Sequence, residues 1–144
     1  MSSVKISQVF IQYKSKLLLQ LRDFKNDINF PGHWGFFAGH INKNETPIIT
    51  IKRELKEELL WQPKKIVFLS TLNYLNKFQV YAFKCKLDVP FEKLKLLEGE
   101  EMFFFDFNYI QRKILYSKKY NLHFPISPLS HSVFLKIRKK LYND

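Results

Sequence analysis

Glycine is scarce in this chain and cysteine scarcer. Of its 144 residues four are glycine and one is cysteine. A single Cys85 forms no internal disulfide and has no ligand-spaced companion for zinc, which excludes a disulfide scaffold and a zinc module. The thiol reads as a small buried hydrophobe. No window approaches the 18 or so uninterrupted apolar residues of a membrane-spanning helix. Met1-Ser2-Ser3-Val4-Lys5 lacks the apolar run of a secretion signal. Repeats and low-complexity tracts are absent as well. The expectation is a soluble, cytoplasmic protein without a membrane partner.

What is abundant is aromatic and basic. Hydrophobic residues make up 46% of the chain, and 15 Phe, 7 Tyr and 2 Trp are set to dominate the interior of one domain spanning 1–144. The net charge of +11 attracts polyanions, whether nucleotides or nucleic acid. Lys, Asn, Ile and Phe are frequent while Gly and Ala are scarce, so biased composition accounts for the charge equally well. The charge supports an anionic substrate without identifying one.

In order, Val4 to Gln12 and Lys16 to Arg22 read as strands joined by a short turn at Tyr13-Lys14-Ser15. Residues 23–33 carry the turn signals of a loop, and Trp34 to Phe37 a short strand. Ile66 to Leu75 and Phe78 to Leu87 pair as a hairpin across Asn76-Lys77. Alternation of Tyr81, Phe83, Cys85 and Leu87 with Lys84 and Lys86 marks the second of these as half-buried. Further on, Leu94 to Leu97 and Met102 to Phe107 flank the acidic run Glu98-Gly99-Glu100-Glu101. A helix is expected near Asn108 to Tyr116 and another from about Leu129 to Leu141, the latter with Val133, Phe134, Ile137 and Leu141 as its apolar stripe. This order calls for a mixed sheet with helices on both faces.

The stretch that carries chemistry runs from Gly39 to Trp61. Thr46-Pro47 is a helix start, with threonine as N-cap and proline where an N–H is unpaired anyway. Ile48, Ile51, Leu55 and Leu59 then form an apolar stripe, and the helix is expected over Pro47 to Leu60. At about 100° per residue, Glu54, Glu57 and Glu58 share one arc of roughly 100° beside that stripe. Like charges so placed repel and destabilise a helix. A solvated acidic face is one reading; a divalent cation using the carboxylates as hard oxygen ligands is the other.

From Gly39 the chain reads glycine, five residues, Glu45, seven residues, then Arg53-Glu54-Leu55-x-Glu57-Glu58. This resembles the Nudix box, G-x5-E-x7-R-E-U-x-E-E-x-G-U with U apolar, over 23 residues and at every charged position. Phe30 to Gly39 also resembles the strand and loop that lead into that box. Two positions depart from it: Leu60 replaces the near-terminal glycine, so the helix is expected to end differently ahead of Pro63, and Ala38 stands where many members have a second glycine.

The resemblance implies an α/β/α sandwich around a mixed sheet and metal-dependent hydrolysis of a phosphoanhydride by a Nudix-type pyrophosphohydrolase. Magnesium, with manganese as an option, would be held by Glu54, Glu57 and Glu58, assisted by a backbone carbonyl near Ala38 or Gly39. Glu54 is also a candidate base, Arg53 and Glu45 support the carboxylates, and Glu101 is the preferred extra carboxylate from the run Glu98, Glu100 and Glu101. Arg22, His40 and Gly39 are the candidate substrate-binding residues, the first two as phosphate contacts. The expected substrate is a (d)NTP-type nucleotide or a nucleotide sugar. Nucleic acid is disfavoured, because the basic residues near the C-terminus spread around a helix without interleaved aromatics. RNA 5′-pyrophosphohydrolysis and a catalytically silent sensing module remain alternatives, and a homodimer remains open.

Overall fold

The computed structural model describes residues 3–142. Strand β1 (Val4–Tyr13) turns directly into β2 (Lys16–Leu21), followed after a loop by β3 (Trp34–Gly35) and β4 (Phe37–His40). Helix α1 (Pro47–Leu59) leads to the hairpin β5 (Val67–Tyr74) and β6 (Phe78–Lys86). Then come β7 (Glu101–Asp106), a single turn α2 (Phe107–Ile110), the hairpin β8 (Ile114–Ser117) and β9 (Leu122–Pro125), and α3 (Pro128–Ile137).

A seven-stranded mixed sheet forms the middle layer. β1 lies parallel to β6 along nearly its whole length, and β6 pairs antiparallel with β5. The other edge of β1 is shared: β4 pairs with Ile6 to Val9, and β2 takes over at Gln12 and Tyr13. β2 then carries β3 and β7. Because side chains alternate across a strand, each face of β1 has its own population. Ile6 and Phe10 pack with Leu19, Trp34, Val80, Phe134 and Ile137 on the α3 side. Val9 and Ile11 pack with Phe37, Ile51, Leu55, Leu59 and Phe83 on the α1 side. Ile51, Leu55 and Leu59 are fully buried, and each contributes about 1.5–3 kcal/mol relative to an exposed position. The result is the expected α/β/α sandwich.

Four local expectations are corrected. β6 is buried on both faces, with Phe78, Val80 and Ala82 in one core and Phe83 and Cys85 in the other, because the α3-side and α1-side layers cover both faces of this central strand. The segment 108–116 is not one helix. α2 stops at Ile110, Lys113 takes a left-handed φ of 68°, and Leu115 drops into the core as part of β8, where its carbonyl accepts from Trp34 Nε1 at 3.1 Å. The C-terminal helix ends at Ile137 and finishes as a tighter turn over Arg138–Lys140.

The end of α1 is the fourth. Leu60 adopts the left-handed conformation (φ 54°, ψ 40°) and its N–H reaches Lys56 O at 3.1 Å, so the helix closes as a glycine-capped one does. A side chain in that conformation costs about 1–2 kcal/mol, and Leu60 is 60% exposed, so it recovers little by burial. Leu60→Gly is expected to stabilise the fold by about 0.5–1 kcal/mol, seen as a rise of about 2–4 °C in Tm. A lower Tm would refute the strained-cap interpretation.

Candidate active site

Arg53 organises the acidic residues. Its Nε and Nη2 grip Glu45 at 2.7 and 3.0 Å, its Nη1 reaches Glu54 Oε1 at 2.9 Å and Glu57 Oε2 at 3.4 Å, and Nη2 also donates to the His40 carbonyl at 3.1 Å. A planar guanidinium fork suits this; a lysine would not. Glu45 additionally accepts from Asn42 N at 2.9 Å and Thr50 Oγ1 at 3.1 Å, which ties the loop after β4 to the first turns of α1. The Arg53 hydrogen bonds hold the Glu45 carboxyl down at about 2, and Glu45 in return raises the pKa of Arg53. Glu45 therefore behaves as a permanent structural anion.

Glu54 lies against Gly39. A Cβ on that glycine would sit 2.3 Å from Glu54 Cδ and Oε1, so glycine is required by close approach, with an ordinary strand φ. Burial pushes the Glu54 carboxyl up, against the pull of Arg53. Glu58 is more extreme. It is 4% exposed, its Oε2 has no donor partner among the described residues, and burial, the neighbouring carboxylates of Glu54 and Glu98 and a hydrogen bond shared with Glu98 raise it to about 9, opposed by the Arg22 cation. Glu57, 58% exposed, faces solvent beside them.

A cleft partly open to solvent runs across the opposite face of β4 towards the start of α3, and none of these carboxylates lines it. Arg22, Ala38, Gly39 and His40 line one end, so the three candidate substrate-binding residues, Arg22, Gly39 and His40, come to one cleft. Arg22 Nε is committed to the Asn29 carbonyl at 2.8 Å, which leaves its other nitrogens for a ligand. Ala38 is in β4 with an ordinary φ, paired to Gln8, and the missing second glycine leaves no distortion. Glu101 is not brought into the cluster. It pairs with Leu21 on the α3 side of the sheet and accepts from Ser117 Oγ at 2.5 Å and Lys118 N at 3.2 Å, while residues directly opposite in a ladder share a face. Glu98, weighed but not preferred from the sequence, is the acidic residue near Glu58.

The donor set suits a hard divalent cation. All the groups are carboxylate or carbonyl oxygens, and an orphaned, desolvated carboxylate beside two others is what such an ion neutralises. Among the described residues no three His, Cys, Asp or Glu side chains already converge as a ligand set, since Glu54 and Glu57 are turned onto Arg53. A cation would have to draw them off it.

The raised Glu58 pKa has a consequence for stability. Between about its ordinary 4.5 and about 9 the folded chain keeps a proton that the unfolded chain has lost. Stability of the metal-free protein is therefore fullest near pH 4.5 and falls as pH rises, by at most about 1.4 kcal/mol per unit. Saturating magnesium, by keeping Glu58 ionised, should flatten that slope, as should Glu58→Gln. Denaturant melts between pH 5.5 and 8.5 check this; a slope unchanged in Glu58→Gln would count against it.

Fold and site together define a class: a three-layer α/β/α domain that carries an acidic site on a glycine-led loop and helix at one end of its sheet. A profile of the NUDIX domain matches residues 4–122, and the chain belongs to the Nudix family. Nudix hydrolase 3 of Arabidopsis thaliana is 42% identical over 52 residues, which are 35% of this chain and 7% of that protein. Among solved structures, the NUDIX domain of Shewanella oneidensis NrtR in complex with ADP ribose superposes with a TM-score of 0.69 at 15% identity, over 99% of this chain and 90% of that one. The MutT protein of Methanosarcina mazei Go1 gives 0.69 at 19% identity, over 96% and 94%. These structures establish the shared fold. No helix among the described residues is long and apolar enough to cross a membrane.

Proposed function

We propose that this chain is a metal-dependent pyrophosphohydrolase that cleaves a phosphoanhydride bond in a nucleoside diphosphate-linked substrate, either a (d)NTP-type nucleotide or a nucleotide sugar. The observation that carries this reading is Glu58: a carboxyl 4% exposed, with an oxygen that has no donor among the described residues, beside Glu54 and Glu98. Glu54, Glu57 and Glu58, with a carbonyl near Gly39, would hold magnesium or manganese. When bound, the cation supplies charge neutralisation on phosphoryl oxygens and acidity toward water.

The chain's own residues then have separate tasks. Arg53 holds Glu54 and Glu57 at the edge of the site through Nη1 and keeps the loop at His40 docked. Glu54, whose carboxyl is raised by burial, is suited to take a proton from the attacking water. Arg22 and the β4 edge at Gly39 and His40 orient the diphosphate, since in-line transfer depends mainly on positioning and charge. The NrtR neighbour in complex with ADP ribose supports a nucleotide diphosphate as the kind of ligand.

The test is incubation with nucleoside triphosphates, nucleotide sugars and a 5′-triphosphorylated RNA at physiological salt, with magnesium or with chelator, measuring released phosphate and pyrophosphate. Magnesium-dependent cleavage of a free nucleotide or nucleotide sugar is expected. No cleavage across the panel, or RNA turned over fastest, would overturn the proposal.

A further inference from the structure

At the α3 end of the cleft the floor is Gln8, 1% exposed on β1 in the middle of the sheet. Its Nε2 donates to Ser130 Oγ at 3.2 Å, whereas its Oε1 is enclosed and has no partner among the described residues. Turning the amide over does not cure this. Ser130 Oγ already accepts from Phe36 N–H at 3.3 Å, so its own proton could go to the Gln8 oxygen, and the amide nitrogen would then be the unmatched end. One polar atom of Gln8 is left over in either pose. A buried polar group without a partner is costly, and replacing it by an apolar residue of like shape is the cheaper design for a purely structural position.

The surroundings say what it waits for. Ile6, Phe30, Phe36, Phe78 and Leu129 give the cleft apolar walls around the Gln8 amide, with Ser127 and Ser130 beside them. Arg22, Gly39 and His40 line the same cleft toward the carboxylates, and Gln8 pairs in register with Ala38, the neighbour of Gly39. Ser127 Oγ and Ser130 Oγ already take part in hydrogen bonds, and apolar walls with one unmatched amide atom fit a planar heteroaromatic ring, which has two apolar faces and a polar edge; a sugar would need several polar partners.

We propose that the Gln8 amide is the base-reading group of the cleft, hydrogen-bonding the edge of a nucleobase and setting which nucleotide is preferred. The inference rests on the reading of the cleft as a nucleotide site, and it adds the residue that discriminates among nucleotides. Ser130 is its positioning residue, fixing the amide plane through the Phe36 N–H.

The experiment measures binding, not turnover. Wild-type protein with magnesium is titrated calorimetrically with α,β-methylene diphosphates of adenosine, guanosine, cytidine and uridine, and with base-free methylenediphosphonate. One base should bind at least about tenfold more tightly than the poorest. In Gln8→Met, similar in length and shape, the preferred nucleotide should lose at least about tenfold and the four should come within about threefold of one another, with the base-free probe little affected. Gln8→Glu, which keeps the shape and removes the NH2 donor, should give a different ranking, and it carries the test if Gln8→Met does not fold. Equal weakening of all five ligands would mean a structural role and overturn the proposal, as would an unchanged ranking, no discrimination in the wild type, or no binding. Base discrimination that depends on Gln8 without any turnover would instead refute only the hydrolase reading.

Discussion

Glu57→Gln should cut metal-dependent turnover by at least about a hundredfold and leave the fold intact. The side chain is 58% exposed and its one described ion pair is the long 3.4 Å contact to Arg53, so the substitution removes a ligand charge while keeping size. An exposed pair of that kind contributes little to stability, and Tm should move by no more than about 2 °C. Glu58 is a less clean probe, since its burial couples any change to the core beside Leu55 and Leu59. Steady-state rates at saturating magnesium, with a parallel melt, decide the matter. Wild-type turnover in Glu57→Gln would remove that carboxylate from the mechanism.

Gly39→Ala should be nearly as damaging to turnover, for a different reason. Its added methyl would stand 2.3 Å from Glu54, so the Glu54 side chain must swing away and give up its 2.9 Å contact with Arg53. The backbone needs no left-handed torsion there, which separates contact from strain. Turnover is expected to fall at least about tenfold, because displacement of a catalytic group by about 1 Å costs up to about a hundredfold, and stability to fall by about 1–3 kcal/mol. If the loss passes through Glu54, it must be non-additive: in a Glu54→Gln background the extra alanine should add little. Full additivity in the cycle would show that Gly39 acts elsewhere.

Those two residues were legible because their information is local. Glycine, glutamate and arginine at fixed spacing specify a loop and a helix whose acidic arc follows from a 3.6-residue period, and Ile51, Leu55 and Leu59 are buried as that period requires. What was hidden depends on pairing. Glu101 follows Glu98 by three residues, yet the register that sets it opposite Leu21 sends it to the β8–β9 side, and Glu98 is left near Glu58. Gln8 carries no signal in an alternating strand; its meaning appears only when β1, β4 and α3 enclose it. The β8–β9 hairpin was missed because Ile110 and Ile114 stand at helical spacing, while the docking of Leu115 beneath Trp34 is a long-range event. Leu60 shows the converse: the cap geometry held although the residue that favours it is gone.

Titration with Mn2+ followed by electron paramagnetic resonance, with proton release recorded on the same samples, tests the central claim most directly. The wild type should bind Mn2+ at neutral pH and release up to about one proton as Glu58 ionises, and Glu57→Gln should bind at least about tenfold more weakly. Mn2+ held equally well by a variant in which Glu54, Glu57 and Glu58 are all glutamine would contradict the assignment of the metal to this helix.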